Sequence, residues 1–422
     1  MSSGLYAGED VGALVFDSGS YSFRAGYAGE ECPSVDIPAS VGVRNKFEET
    51  SEGTREIRET FIGDVDLCIP RKDTEIKGYM KDGMIEDWDL FEQVMDYVYN
   101  KCFRVESPLH GVLFSEAPWI TKEKREKLTE LMFEKYNVPA FYTVKSPVLT
   151  CFAHGKASGL VVDSGASQTY ASPVHDGYCL VSSTVKSNLG GDTIADQMQK
   201  YLERCKVDII PSYRIASKEE YKEGEKPLYK LKNKVVEVTE SFEAYHKKKI
   251  VEDVVAATLQ LVDNIDTEDL ESVVPGEYDF STGLHKEIKR ERIIIPESLF
   301  NIKYLDIDEK IKATIMDIPS VVVTCCTMAD IDLRNALYSN VIVTGGNSLI
   351  DGFSERLNHG IAVKCPPTVK IRFNSGTTPM EKRFGAWIGG SIVASLGTFQ
   401  QLWISKAEYE DSGKAIVNKK CH

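Results

Sequence analysis

Short apolar runs and amphipathic stretches alternate along this chain and predict a mixed α/β fold. Residues 11–16 form an apolar run typical of a buried strand, and residues 21–27 follow it as the returning arm of a hairpin. Residues 89–103 place apolar side chains at helical spacing, and Thr121 is suited to cap a second amphipathic helix. Apolar stripes of this kind face the core more often than a partner, so we expect both helices to pack inward.

The second half of the chain repeats this order of elements. Residues 160–162 predict a strand, residues 169–173 predict its returning arm, and Gly177 predicts a turn after it. Asp192 is predicted to cap the helix that follows. The apolar face of that helix consists of Ile194, Met198, Tyr201 and Cys205.

Three stretches are dominated by charged side chains. Residues 46–59 are charged and poor in large apolar side chains, which predicts an exposed loop. Residues 217–249 and 285–292 are crowded with basic and acidic residues, as solvated faces and insertions usually are. Within the first of these two runs, residues 246–249 (His-Lys-Lys-Lys) fit a nuclear import signal as well as a solvated face.

Length and charge narrow the class of protein. A chain of 422 residues exceeds one ordinary core and suits two large lobes or more. A net charge of −14 argues against a protein that grips DNA over a broad surface, although membership in a DNA-bound assembly stays open. No apolar stretch approaches the ~20 residues of a membrane span. Residues 1–6 lack the basic and apolar segments of a signal peptide.

Ten cysteines are scattered along the chain without the spacing of metal ligands. None forms a C-x-x-C pair, and no histidines stand at the intervals that zinc sites use. The cysteines therefore indicate free thiols in a reducing compartment, such as the cytosol or the nucleus, and we expect no zinc site.

One short motif occurs twice in matching context. The sequence Asp-Ser-Gly follows the apolar run at residues 13–16 and again follows the run at residues 159–162. A glycine-containing turn exposes consecutive backbone N–H groups that can cradle phosphate, and an aspartate at a strand end can hold a hydrated divalent cation. One such turn is a common way to leave a strand. Two in matching context predict a duplicated domain pair that clamps a nucleotide.

Three pairs of glycines add to this picture. Residues 190–191 leave the N-terminus of a predicted helix bare, which favours a second anion site. Residues 345–346 follow a strand at 341–343 and would let a flat ligand approach the backbone, although a plain tight turn explains them equally well. Residues 389–390, in the last apolar segment, are better explained by close helix packing.

The order of these motifs, together with two long runs, resembles actin. Residues 387–413 resemble the C-terminus of actin nearly residue for residue, residues 125–134 are similarly close, and the resemblance covers essentially the whole chain. It implies an actin-like fold: two α/β domains of ribonuclease-H-like topology, each with an inserted subdomain, around a nucleotide cleft. The implied subdomains are residues 1–38, 78–153 and 385–422 (subdomain 1), 39–77 (subdomain 2), 154–190 and 314–384 (subdomain 3), and 191–313 (subdomain 4).

Three stretches are closer to the nuclear actin-related proteins than to actin itself, namely residues 11–33, 115–119 and 174–178. In particular, the chain looks like the actin-like subunit shared by SWI/SNF-type (BAF) chromatin remodellers and related histone acetyltransferase complexes. Members of that class pair with monomeric actin on a long helix of the remodelling ATPase. The resemblance therefore implies a protein of the nucleus.

Several positions depart from actin where phosphate and water are handled. Tyr21 stands where actin has a glycine and would crowd the space for a phosphate, while Arg24 replaces a phosphate-contacting lysine. Ala166 and Ser167 replace an aspartate and a glycine, which removes a carboxylate from the neighbourhood of the metal.

The groups that position the attacking water of actin fall at Ser146 and Tyr170 in this chain. Phosphoryl transfer depends on positioning and charge, so their loss predicts slow hydrolysis. The lysine–glutamate pair that covers the adenosine of actin falls near Ala244 and Tyr245, where the alignment is loose.

The resemblance implies that the cleft binds ATP with Mg²⁺ as a structural clamp. Asp17 and Asp163 would hold the ion through water. The nucleotide-binding residues predicted on this basis are Asp17, Ser18, Gly19, Ser20, Arg24, Asp163, Ser164, Gly165, Gly191, Gly345, Gly346, Asn347, Leu349 and Arg383.

Three functions compete: a non-catalytic scaffold with ATP as a clamp, a filament-forming ATPase of the cytoskeleton, and a small-molecule kinase of the same fold. The C-terminal match to actin leaves no room for the catalytic carboxylate of a kinase. Residues 47–61, which match the intersubunit loop of actin, are acidic, and residues 301–312, which replace its hydrophobic plug, are dense in charge. We therefore expect a scaffold rather than an enzyme.

The expected partners follow from the same resemblance. They are a monomer of actin, a helix of a SWI/SNF-type remodelling ATPase, and subunits of histone acetyltransferase complexes. The helix would dock in a groove between residues 387–403 and the helix that follows Trp119. The acidic net charge fits protein partners, basic histone surfaces included, better than DNA or a membrane.

Overall fold

The structure is a computed structural model that describes residues 12–50 and 53–421. The predictions for residues 1–6, and for the first residue of the strand at 11–16, lie outside the described residues. The chain builds one lobe from residues 12–153, then a second lobe from residues 159–375, and finally returns to the first.

The first lobe is a sheet with helices against it and a smaller β-rich insertion. Its strands are β1 (Leu14–Ser18), β2 (Ser22–Tyr27), β3 (Val35–Pro38), β4 (Ser40–Thr50), β5 (Gly53–Phe61), β6 (Glu75–Gly78), β7 (Met80–Lys81), β8 (Met84–Ile85), β9 (Val112–Glu116) and β10 (Ala140–Lys145). Its helices are α1 (Asp64–Cys68), α2 (Trp88–Tyr97), α3 (Lys122–Glu130) and α4 (Ser146–Ala153). Helices α2 and α3 continue as π-helical turns over Val98–Phe103 and Leu131–Lys135.

The second lobe repeats the sheet and carries a larger insertion. Its strands are β11 (Gly159–Ser164), β12 (Thr169–His175), β13 (Tyr178–Cys179), β14 (Val185–Ser187), β15 (Ile215–Lys218), β16 (Tyr221–Lys222), β17 (Tyr229–Leu231), β18 (Gly276–Asp279), β19 (Leu284–Ile288), β20 (Val341–Thr344) and β21 (Phe373–Ser375). Its helices are α5 (Gly191–Arg204), α6 (Glu240–Thr258), α7 (Glu291–Glu297), α8 (Glu309–Lys312), α9 (Ile318–Met328), α10 (Ile331–Tyr338) and α11 (Phe353–Lys364).

The C-terminal part returns to the first lobe. It consists of α12 (Pro379–Ser395), α13 (Gly397–Gln400), β22 (Ile404–Ser405), α14 (Lys406–Ser412) and α15 (Val417–Lys420). Among the described helices, none is both long and apolar enough to cross a bilayer. The ten cysteines are all free thiols, as the sequence predicted.

The two main sheets share one topology. The first has the strand order β22-β10-β9-β1-β2-β3, and the second has the order β13-β12-β11-β20-β21, with β14 also beside β12. In each, the first strand pairs antiparallel with the next along the chain and parallel with a much later one: β1 pairs with β2 and β9, whereas β11 pairs with β12 and β20. The repeated hairpins at residues 14–27 and 159–175 confirm the predicted duplication.

The predicted amphipathic helices pack inward. Phe91, Val94 and Met95 of α2 are fully buried in the core of the first lobe. The Thr121 hydroxyl accepts a hydrogen bond from the Lys124 N–H at 3.4 Å, and Leu128 of α3 is buried in the same core. Both apolar stripes therefore belong to the core, and Thr121 is the N-cap that the sequence predicted.

Two local predictions are wrong. Residues 46–50 and 53–59 are not a loop but belong to the paired strands β4 and β5, in which the Arg44 and Lys46 side chains both bind Glu59 at 2.5 Å. Charged side chains here pair across the strands of a ribbon, a pattern that lacks the apolar signal of a buried strand. Helix α5 begins at Gly191 with Gly190 as N-cap, so Asp192 lies in the first turn and does not cap it.

The charged run at residues 285–292 also differs in part from a solvated face. Lys286 in β19 is 2% exposed, and its ammonium group binds Glu223 at 2.8 Å. A lysine can be buried to this extent because the carboxylate partner compensates its charge.

Helix α12 joins the two lobes through close contacts. It packs against α4, against β1 of the first sheet and against β20 of the second. A Cβ atom at Gly389 would lie 1.8 Å from the Leu149 carbonyl oxygen, and one at Gly390 would lie 2.8 Å from a methyl carbon of Val15. The predicted role of residues 389–390 in helix packing is confirmed, because no larger residue fits at this distance.

We predict that Gly389→Ala destabilises the protein by about 3 kcal/mol or more, because α12 and α4 must separate to admit the methyl group. Urea denaturation of the purified chain measures the difference. Gly397→Ala is the matched control, since a Cβ atom at Gly397 meets no atom within 4 Å. Equal stability of the two variants would show that the close α4–α12 contact at Gly389 is not needed for the stability of the fold.

Candidate nucleotide cleft

A cavity of about 420 Å³ lies between the two lobes. Its volume is within the range of sites for cofactors and small ligands. It is lined by every predicted nucleotide-binding residue except Ser164. The folded chain therefore brings residues from distant parts of the sequence to one cleft.

The two Asp-Ser-Gly turns face this cavity with the same internal geometry. The Gly19 N–H donates to the Ser22 carbonyl and the Gly165 N–H donates to the Gln168 carbonyl, each at 3.0 Å. Across the cleft, the hydroxyl oxygens of Ser20 and Ser167 lie 3.0 Å apart. The turns thus form two matching jaws, one from each lobe, whose tips are in hydrogen-bond contact.

The loop formed by Thr344, Gly345 and Gly346 packs closely against the second of these turns. Gly345 has a φ of +94°, and a Cβ atom there would lie 2.3 Å from the Ser164 carbonyl oxygen and 2.5 Å from Oδ1 of Asp163. Gly346 has no neighbour within 4 Å of its Cβ position and faces the cavity. The first glycine is therefore required by packing against the turn, whereas the second leaves room for a ligand beside the backbone.

Ser164 does not line the cavity and has a different place in the site. Its side chain is fully buried, and its hydroxyl accepts a hydrogen bond from Nδ2 of Asn347 at 3.0 Å and contacts Oγ1 of Thr169 at 2.8 Å. Nδ2 of Asn347 also donates to the Gly165 carbonyl at 2.8 Å. Ser164 and Asn347 together fix the third loop to the second turn.

Arg24 supplies positive charge beside the first turn. Its Nη1 donates to Oδ2 of Asp17 at 2.8 Å, while its Nε lies 3.9 Å from Oδ1 of Asp36. Among the described residues, nothing accepts a hydrogen bond from this buried Nε. Arg24 lines the cavity and thus places positive charge at its wall, beside the first turn.

Asp163 is the most strongly perturbed carboxyl group of the cleft. Burial raises the pKa of Asp163 to about 6; the Tyr170 hydroxyl, which donates to Oδ2 at 3.1 Å, lowers this pKa, and the nearby charge of Asp17 raises it further. The Tyr170 hydroxyl also contacts Oγ of Ser146 at 2.9 Å. Ser146, Tyr170 and Asp163 thus form a continuous hydrogen-bonded chain at the two positions where actin handles water.

Helix α6 bridges the two lobes above the cleft. Nζ of Lys249 donates to the Tyr21 hydroxyl at 3.0 Å and lies 4.1 Å from the centre of its ring. Nearer the start of α6, the Ser241 hydroxyl accepts from the Ile76 N–H at 3.1 Å, and Nε2 of His246 contacts the Leu67 carbonyl at the same distance. Tyr21 lines the cavity, and its ring is held against Lys249 of α6 in the other lobe.

The loose alignment near Ala244 and Tyr245 left the residues that would cover an adenosine unassigned. Ala244 and Tyr245 do not line the cavity, whereas Glu252 and Val255, two to three turns further along α6, do. Glu252 and Asp253 interrupt the apolar second half of the helix, and this pair of acids is the signal that could have located Glu252. Trp119 and Gln168 also line the cavity, although neither was predicted to contact a nucleotide.

The residues present fit a nucleotide with a hydrated divalent cation. Backbone turns, Arg24 and the open space at Gly346 suit phosphate, and Asp17 and Asp163 are the carboxylates that the two turns bring to the cavity for a cation. The described residues contain no group of three or more metal-ligating side chains, so an ion would rely on water and phosphate oxygens. Mg²⁺ binds in that manner, with one or two carboxylates, and would neutralise phosphate charge there.

Two lobes of one topology, with matching turns facing a cleft, define a protein of the actin fold. The chain matches the family model described as Actin over residues 8–422 and belongs to the actin family. It is 33% identical over 443 residues to Actin-related protein 4 of Arabidopsis thaliana, covering 99% of this chain and 100% of that protein. Actin-related protein 4 of Neurospora crassa is 32% identical over 467 residues, covering 99% and 97%. The family that the motifs indicated is confirmed.

We predict that Asp163→Asn stabilises the nucleotide-free protein at neutral pH. The pKa of Asp163 is about 6 in the folded protein, whereas its ordinary value is 3.8. Between about pH 4 and pH 6 the folded state therefore binds more protons than the unfolded state, so the free energy of unfolding falls as the pH rises through this range. The variant should gain up to about 3 kcal/mol at pH 7 and little at pH 4.

Urea denaturation at a series of pH values, with a chelator present, measures this gain. Asp411→Asn, at an exposed position, is the control and should show no such pH dependence. A constant difference between Asp163→Asn and the parent chain across the series would contradict the assignment.

Proposed function

We propose that this chain is a non-catalytic actin-related scaffold that holds ATP and Mg²⁺ as a structural clamp. The observation that carries the proposal is the combination of two intact phosphate-type jaws with a hydrogen-bonded chain, Ser146–Tyr170–Asp163, at the water-handling positions. The first feature favours binding, and the second disfavours hydrolysis.

Retention of the nucleotide is supported by contacts that cross the cleft. Ser20 meets Ser167 between the jaws, Tyr21 meets Lys249 at the rim, and Lys186 binds Asp82 at 2.6 Å. Each contact would have to break or lengthen for the lobes to separate. A ligand that adds its own contacts to both jaws favours the closed state further, because it binds only that state tightly.

Slow turnover is supported by what faces the cleft near Asp163. The Tyr170 hydroxyl already donates a hydrogen bond to this carboxylate. Trp119 packs edge-on against the Tyr170 ring, with the ring centroids 5.1 Å apart. Ser146 contributes a short hydroxyl, and Ala166 contributes a methyl group where actin has a carboxylate. The hydroxyl protons of Ser146 and Tyr170 are both engaged in this hydrogen-bonded chain, so neither residue keeps a free donor to orient a water molecule for in-line attack, which phosphoryl transfer requires.

Filament formation, the second candidate, is opposed by the segment at residues 301–312. The Asp306 N–H donates to the Gln197 side chain at 2.8 Å, and its carboxylate pairs with Arg204 at 3.2 Å, so the segment is bound to α5. Glu309 and Lys310 are exposed in α8. A charged segment tied to its own subdomain is poorly suited to insert into an apolar contact between subunits.

The partner surface that we infer is centred on α12. Ile392 and Leu396 are 41% and 50% exposed, although the opposite face of the helix is buried, and Leu402 is exposed nearby. The second wall predicted from the sequence, the helix that follows Trp119, stays part of the proposal; that helix, α3, packs against the C-terminal helix α15, and α12 packs against α4. An amphipathic helix could cover these leucine and isoleucine side chains.

On this basis we infer a nuclear protein that binds a helix of a SWI/SNF-type remodelling ATPase beside a monomer of actin. Subunits of histone acetyltransferase complexes are further proposed partners. A net charge of −14 suits contact with basic proteins such as histones more than direct binding of DNA.

We predict that ATP with Mg²⁺ stabilises the chain by about 3 kcal/mol at about a hundredfold excess over Kd. Asp17→Asn and Asp17→Ala should lower this gain, since both remove a carboxylate charge from the first jaw. Thermal unfolding with and without nucleotide measures the gain, and Asp411→Ala is the exposed control.

The same preparation tests turnover. Phosphate release should be far slower than that of filamentous actin assayed in parallel. Rapid phosphate release by the monomer would show that the Ser146–Tyr170–Asp163 chain does not block hydrolysis, and it would contradict the non-catalytic assignment.

We further predict a ternary complex of this chain, actin and the helical region of a SWI/SNF-type remodelling ATPase on size exclusion after co-expression. Ile392→Asp with Leu396→Asp should release the chain from the complex, because both add charge to the exposed face of α12. Val363→Asp, at an exposed apolar position on α11, is the control. Separate migration of the three proteins, with sedimentable filaments of this chain, would favour the filament candidate instead.

A further inference from the structure

A short basic segment, residues 226–234, stands out on this acidic protein. It contains Lys226, Lys230, Lys232 and Lys234 and no acidic residue. All four lysines are exposed. In the part of the chain that the structure describes, none of them forms an ion pair or a side-chain hydrogen bond.

The other lysine run of the same insertion shows the opposite condition. In α6, Lys247 binds Glu243 at 2.8 Å, Lys248 binds Asp192 at 2.6 Å, and Lys249 binds Glu252 at 3.1 Å. The charges of these lysines are therefore already paired with carboxylates of the same chain. The basic segment, by contrast, keeps its charge available to a partner.

Exposed apolar side chains accompany the free lysines. Leu228, Leu231, Val235 and Val236 are all exposed. Lysines on an edge strand can serve to prevent unwanted pairing, and β17 is such a strand, with β15 as its single neighbour among the described strands. That role explains the lysines alone. It gives no reason for four large aliphatic side chains in water beside them.

The segment is anchored at several points. The Lys232 N–H donates to the Arg214 carbonyl at 2.9 Å, the Glu219 N–H donates to the Leu228 carbonyl at 3.0 Å, and Arg214 binds Glu243 of α6 at 2.7 Å. The strand is therefore already formed before any partner arrives. Binding to a preformed strand avoids much of the entropy cost of ordering the chain.

We propose that residues 226–236 bind an extended peptide in which acidic and aliphatic residues alternate. Its carboxylates would pair with Lys230 and Lys232 on one face of the strand, its aliphatic side chains would cover Leu231 on the other face, and its backbone would lie along β17. A nucleic acid fits less well: residues 226–236 contain no arginine, the single aromatic side chain, Tyr229, is half-buried and bonded to Asp208, and phosphates leave the aliphatic groups uncovered.

The test uses the full chain and a labelled peptide of alternating glutamate and valine, followed by fluorescence anisotropy. Binding should weaken about tenfold or more in the triple variant K230E/K232E/K234E and in L228S/L231S. The triple variant K101E/K122E/K156E makes the same charge change at exposed lysines elsewhere and should bind as the parent chain does. Because the lysine pairs are exposed, added salt should also weaken binding.

Three results would overturn the proposal. The first is binding of a single-stranded oligonucleotide, lost in K230E/K232E/K234E but not in L228S/L231S, while the peptide is not bound. The second is self-association of the parent chain that either variant abolishes, which would make β17 an edge between two copies. The third is absence of binding to either probe, which would leave the lysines with edge protection alone.

Discussion

The contact between α4 and α12 at Gly389 sets the geometry on which the rest of the structure depends. A hydrogen atom in place of a side chain lets α12 lie against the Leu149 carbonyl, so one helix can touch β1 of the first sheet and β20 of the second. Trp387 of the same helix donates its Nε1–H to the Val15 carbonyl at 3.1 Å, directly before the first Asp-Ser-Gly turn. The distance between the jaws is thus fixed from the base of the cleft, and the contact of Ser20 with Ser167 is its consequence at the tips.

Within that geometry, the proposed function requires a cleft that binds a nucleotide but does not hydrolyse it. Binding requires backbone N–H groups, a cation near phosphate and room for the ligand, and the turns, Arg24 and Gly346 meet these needs. Hydrolysis additionally requires an oriented water molecule, which in turn requires side chains with free donors or acceptors near the terminal phosphate. The Tyr170 hydroxyl is instead hydrogen-bonded to Asp163 and Ser146. The same hydrogen bonds that stabilise a buried carboxylate therefore withdraw the groups that catalysis would use.

The sequence alone was sufficient for features that depend on local chemistry. The two hairpins, the Thr121 cap, the inward faces of α2 and α3, and the packing glycines at residues 389–390 were all predicted. Features decided by distant partners were not. Ser164 carries the same motif as Ser18, but its hydroxyl is taken by Asn347, and the lining residues of α6 depend on how that helix crosses the cleft. The β4–β5 hairpin was missed because its stability comes from cross-strand ion pairs, which leave no apolar alternation to recognise.

Charge shows the same dependence on tertiary context. Residues 246–249 and residues 226–234 are both lysine-rich, and composition alone gives no reason to treat them differently. In the folded chain, the lysines of the first run pair with carboxylates of α6 itself and of α5. Lys249 also donates a hydrogen bond to Tyr21 across the cleft. The second run lies on a two-stranded sheet, and none of its four lysines forms an ion pair with a residue that the structure describes. A basic run becomes part of the clamp in one place and an open surface in the other, so the function of a charged segment in this protein follows from the acids that the fold places beside it.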